Sequence, residues 1–161
     1  MSAKRTTWQE KLENSHGLPK VCPIAPAQTK RWGAGTMLIP APLEVDALMR
    51  CVPQGRLTTI DELRAALARR HGATITCPLT TGIFAWIAAH AAADAQAQHQ
   101  KNTTPFWRTH KARGELNPKY PGGIPGQKKH LRAEGHTIIK KGQRFFVKDY
   151  AAALANLDPS P

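Results

Sequence analysis

The sequence is short of cysteine, short of acid, and has no long apolar run. Its three cysteines, Cys22, Cys51 and Cys77, form no C-x-x-C pair, so neither a disulfide framework nor a zinc ribbon is indicated. The seven histidines are scattered, with no His-x-x-x-His and no cysteine at ligand spacing, so no metal and no cofactor is expected. The most apolar stretch, Gly82 to Ala93, is too short to span a bilayer, and His90 interrupts it. No apolar segment follows the basic residues between Met1 and Thr7, so no secretory signal is read. A Gly-rich phosphate loop, a paired-carboxylate site and a G-x-S-x-G elbow are all missing. What remains is a chain with reduced thiols, expected in the cytoplasm and associated with the nucleoid.

What the chain has in excess is positive charge. Lys and Arg number 23 against 11 Asp and Glu in 161 residues, a formal net charge of +12. Such a balance points to a polyanionic partner, with nucleic acid the commonest. The excess lies in the C-terminal third: between Lys101 and Lys148 only Glu115 and Glu134 oppose a dozen cations. A hydrophobic fraction of 41% nonetheless predicts a folded core rather than a basic tail.

Local signals divide the chain into three parts. Residues 1–41 read as a short helix, opened by the capping-box pair Thr7 and Glu10, followed by a proline-rich extended arm with one strand candidate at Thr36 to Ile39. Residues 42–157 read as the functional domain, and 158–161 as a frayed tail. Within the domain, Pro42 to Val52 predicts a helix with Leu43, Ala47, Leu48 and Val52 on one face. Thr59 and Glu62 predict a capped helix that ends at Gly72. A short connection from Ala73 to Thr76 leads to a longer helix from Cys77-Pro78 to about Gln98. A helix from Ile124 to Ala133 and a β-hairpin turning at Lys141-Gly142-Gln143 follow, then an Ala-rich helix from Tyr150 to Leu157. The expected fold is mainly α with a small β-hairpin, in the order of a winged helix-turn-helix DNA-binding domain. Lys140, Lys141 and Arg144 would meet at the hairpin tip, where they touch phosphate or simply form a solvated basic surface.

Specific strings narrow this further. Val52-Pro53-Gln54-Gly55-Arg56-Leu57-Thr58-Thr59, Pro105-Phe106-Trp107-Arg108-Thr109, Tyr120-Pro121-Gly122-Gly123-Ile124 and Glu134-Gly135-His136 occur in that order. They resemble the V-P-x-G-x-V-x-T/S-Y, P-C-H-R-V, Y-S-G-G and E-G-H strings of the C-terminal domain of the alkylguanine-DNA alkyltransferases (the methylguanine-DNA methyltransferase family). In that family the cysteine of P-C-H-R, activated by its histidine through a water, takes the alkyl group from a flipped guanine. Here Phe106 stands at the cysteine and Trp107 at the histidine, and neither side chain can accept an alkyl group. The chain is therefore similar to the alkyltransferase-like branch, which implies a non-catalytic protein that binds alkylated double-stranded DNA and passes the lesion to excision-repair proteins. The resemblance places Thr80, Thr81, Gly82 and Arg108 with the hairpin cations at DNA. It places Pro105, Phe106, Trp107, Tyr120 and Gly122 around the alkyl-base pocket, either as a vestige or for binding alone. The tyrosine that rotates the target phosphate falls at Ile60, and the arginine that fills the vacated stack falls near Thr80. Two other functions stay open: a winged-helix transcriptional regulator, and an alkyl-transfer enzyme that uses Cys77, which sits at a helix N-terminus.

Overall fold

A computed structural model describes residues 5–157, so the tail at 158–161 lies outside the described residues. The capping box forms as the sequence predicts: Thr7 accepts from the Glu10 amide and Glu10 reaches back, which starts α1 (Trp8–Glu13). The arm that follows is more ordered than a bare extended segment. It supplies β1 (Lys20–Pro23), a 3-10 turn (Pro26–Gln28), α2 (Thr29–Trp32) and β2 (Thr36–Ile39). β1 pairs antiparallel with β2, and β2 pairs parallel with β4 (Ile75–Thr76), within the stretch expected to be a plain connection. A two-residue strand carries no periodicity, so only its distant partner makes it recognisable. Thr36 and Thr74 clasp each other through amide-to-hydroxyl bonds of 3.0 and 3.1 Å. The clasp needs Gly35, where an added Cβ would lie 2.2 Å from the Thr74 hydroxyl.

α3 (Pro42–Arg50) forms where expected, but its phase differs. Val45, Leu48, Met49 and Val52 are buried, whereas Leu43 and Ala47 face outward. β3 (Thr58–Thr59) leads directly into α4 (Ile60–His71), whose cap Thr59 accepts from the Glu62 amide. Gly72 closes α4 in the left-handed region at φ +64°, a conformation that favours glycine. α5 (Pro78–Ala97) is the central element. Phe84, Ala85, Ile87, Ala88, Ala89, Ala91 and Ala92 bury it against α1, α3 and α4 in the main core. A helix apolar on nearly every side is one that others surround.

After α5 the chain forms a 3-10 turn (Phe106–Arg108), β5 (Thr109–His110) parallel to β3, and a second 3-10 turn (Ala112–Gly114). α6 (Gly123–Ala133) and the hairpin of β6 (Ile138–Lys141) and β7 (Arg144–Val147) follow, with Gly142 at φ +63° in the turn. Leu57, Leu116, Leu131 and Val147 form a second, smaller core beneath the hairpin. The expected last helix is only a 3-10 turn, Tyr150–Ala153. Ala153 and Ala155 spend their backbone groups on Leu57, at 3.0 and 2.8 Å, instead of on a helical ladder. The result is mainly helical with three small sheets, and helix, turn, helix, hairpin come in the anticipated order. No helix among the described residues is long and apolar enough to cross a membrane.

Candidate nucleic-acid interface

The leading turn of α5 is the first part of the site. Pro78 opens the helix where its missing N–H costs nothing, and the Cys77 carbonyl accepts from the Thr81 hydroxyl at 2.7 Å. Thr81 is therefore turned inward and fully buried, so its side chain has no surface to offer DNA. Thr80 is partly exposed, with its hydroxyl 3.5 Å from the same carbonyl, and an added Cβ on Gly82 would meet open space. The outward face belongs instead to Leu79, at 70% exposure, and Ile83, at 42%, neither of which the resemblance places at DNA; Ile83 reads from the sequence as part of the helix's apolar face.

Beside this turn lies a cavity of about 560 Å³. Ile60, Leu79, Gly82, Ile83, Trp86 and Tyr120 form its apolar wall, while Lys111, Asn117, Lys119 and Asp61 provide polar groups. Trp86 Nε1 donates to the Lys119 carbonyl at 3.3 Å, which ties the loop to α5. Burial raises the Tyr120 pKa, so its phenol stays neutral. Cys77 does not line this cavity.

The second part is the stretch Phe106–Arg108, which the resemblance aligns with the alkyltransferases' reactive pair. Phe106 is buried, edge-on to Trp107 (centroids 5.5 Å apart) and to Tyr120 (6.2 Å). Trp107 stacks on His130 at 4.0 Å, and its indole N–H donates to Glu134. Arg108 donates from Nε to Glu134 at 2.9 Å and from Nη1 to the Val52 carbonyl at 2.9 Å. The Gly55 amide adds a further bond to Glu134 at 2.9 Å. Three of the four strings behind the resemblance thus meet at one carboxylate. Burial pushes the Glu134 pKa up, but the donors Gly55, Trp107 and Arg108 outweigh it and hold the carboxylate ionised. Arg108, expected at DNA, is consumed by this internal network. Phe106 and Trp107 fill volume rather than offering a free stacking face. Pro105 is buried beside them, and Gly122 caps α6 in the left-handed region at φ +79°.

The third part is a basic cleft of about 600 Å³ along the hairpin, lined by Arg113, Lys141, Arg144 and Lys148 with Phe146, Asp149 and Tyr150. Its organiser is Glu115, a nearly buried acid that receives Arg144 at 2.5 Å and has Lys111 at 3.7 Å. The Arg144 hydrogen bond leads the effects that lower the Glu115 pKa. Lys140 and Lys141 are exposed, over the rings of Phe145 and Phe146 at 5.7 and 5.6 Å. The turn Ala112–Gly114 joins the two cavities, since Lys111 and Ala112 line the first and Arg113 the second. Gly114 is required there: at φ +79° an added Cβ would sit 2.7 Å from the Tyr150 side chain. The sequence showed Glu115 and Glu134 as isolated acids among cations. For Glu115 that isolation was the only hint of an organising role, whereas Glu134 also belongs to the E-G-H string.

Comparison with solved structures finds an ATL, an alkyltransferase-like protein, of S. pombe in complex with DNA, at 18% identity and a TM-score of 0.52. The match covers 71% of this chain and 94% of that one. The chain shares its fold. S. pombe Atl1 in complex with damaged DNA containing O6-carboxymethylguanine matches at 18% identity and a TM-score of 0.49 over the same shares of the two chains. No protein-family profile matches the sequence. No curated protein matches it either.

Proposed function

We propose that this protein is a non-catalytic DNA-binding protein of the alkyltransferase-like type, which holds a duplex across the leading turn of α5 and the wing-like β6–β7 hairpin. The apolar cavity beside α5 receives an alkylated guanine, and the bound complex marks the lesion for excision-repair proteins. The observation that carries the reading is the cavity itself, an apolar recess at a helix end with Lys111 and Lys119 among its lining. Cations at such a site neutralise phosphate while the recess accepts a base. The shared fold supports the same reading, because the S. pombe protein of that fold was solved with DNA. Phe106 in place of a thiol removes the alkyl acceptor, so binding without transfer is the activity that remains.

The regulator reading fares less well, because the exposed face of α5 offers Leu79 and Ile83 where reading base edges calls for Arg, Asn or Gln. The test is a binding titration with matched duplexes that contain guanine or O6-methylguanine. Tighter binding to the alkylated duplex, with no methyl mass gained by the protein, is the expected result. Equal affinity for both overturns lesion recognition, and a gained methyl group overturns the non-catalytic reading, with peptide mapping to show whether Cys77 carries it.

A further inference from the structure

Base extrusion leaves a gap in the stack, and something must fill it. Thr80, which falls near the position of the family's arginine, is too short for this, and its hydroxyl lies against the Cys77 carbonyl. We infer that Leu79 is the wedge: it enters the base stack beside the extruded nucleotide, and Ile83 supports it from one turn behind. The inference rests on the proposed DNA-binding function and names the residue that makes base extrusion workable.

Several observations converge on Leu79. It is the most exposed large apolar residue among those described, at 70%. A lone exposed leucine is ordinary. This one stands in the first turn of a 20-residue helix and lines a cavity of about 560 Å³, ample for a base. Side chains on a helix tilt toward its N-terminus, so a leucine in the first turn leans off the end of the helix, toward whatever that end approaches. Ile83 lies four residues on, on the same face, and is itself 42% exposed. Gly82 lies next to Ile83 with open space where a Cβ would be, so a backbone or sugar can come close. Lys111 and Lys119 line the same recess, which suits it to a polyanion rather than to an apolar protein surface. Proteins that kink duplexes from the minor groove use Leu, Ile, Phe or Met in this way, and part the bases without any need for charge.

The test uses the full chain with two duplexes, one holding O6-methylguanine and one guanine, each with 2-aminopurine as the neighbouring base. Anisotropy reports binding, and 2-aminopurine fluorescence reports unstacking. Wild type is expected to bind the alkylated duplex and raise its fluorescence. Leu79→Ala is expected to lose most of that rise and about tenfold in preference for the alkylated duplex, with Leu79→Met restoring both. An unchanged melting curve for Leu79→Ala checks that its fold is intact. Wild-type fluorescence and preference in Leu79→Ala overturn the wedge. So does tight, selective wild-type binding without any fluorescence rise, which leaves the proposed function standing. If wild type binds neither duplex, the proposed function falls and the wedge with it.

Discussion

On the proposed function the hairpin tip meets phosphate, and salt dependence measures that contact directly. Lys140 and Lys141 are exposed and, among the described residues, make no ion pair, whereas Arg144 is held by Glu115 at 2.5 Å. The perturbation is therefore the double change Lys140→Ala/Lys141→Ala, with Arg144→Ala as its contrast. Each lysine that neutralises a phosphate adds about 0.9 to the slope of log affinity against log salt, so losing both flattens the slope by about 1.8. From 50 to 200 mM salt, a change of about 0.6 in log concentration, wild type should lose about twelvefold more affinity than the double variant. Fluorescence anisotropy on a plain duplex across that range measures it. Arg144→Ala should behave differently, because it leaves the nearly buried Glu115 with only Lys111 at 3.7 Å, and its first effect is a lower melting temperature. Identical salt slopes for wild type and the double lysine variant would show that the hairpin does not touch phosphate.

Two further outcomes follow from the interior. His110 is fully buried, and burial, then the neighbouring His136, lower its pKa to about 3 from 6.5, with the Trp107 backbone acting weakly the other way. The unfolded chain takes up a proton between those values and the folded one does not, so stability falls as pH drops below 6.5. At pH 5.5 the loss amounts to about 1.4 kcal/mol relative to pH 7.5. Urea titrations of wild type and His110→Leu should differ in pH dependence by that amount, and parallel curves would refute the assignment. Phe106→Ala should cost about 3–5 kcal/mol, because it empties a buried site where the chain needs volume rather than chemistry. A wild-type melting temperature in that variant would show that Phe106 is not packed as described.

Much of the chain could be read from neighbouring residues. Thr7 with Glu10, Thr59 before α4, Gly72 after it, Pro78 at the start of α5 and Gly142 in the hairpin each act within a turn or two, so local chemistry defined those boundaries. Thr58, Thr59, Ile75 and Thr76 behaved differently, because they become strands only when Thr109, His110 and β2 arrive from far along the chain. The site divides in the same way. That neither Phe106 nor Trp107 can accept an alkyl group is a matter of residue identity, and the sequence alone determined it, together with the charge excess and the order of helices and hairpin. Which side of α5 faces outward was decided only in three dimensions. A helix apolar on nearly every side has no strongly preferred inner face until α1, α3 and α4 pack against it, and that packing buried Thr81 and exposed Leu79. Tertiary structure likewise tied Arg108 into the interior, where it donates to Glu134, 26 residues away in sequence.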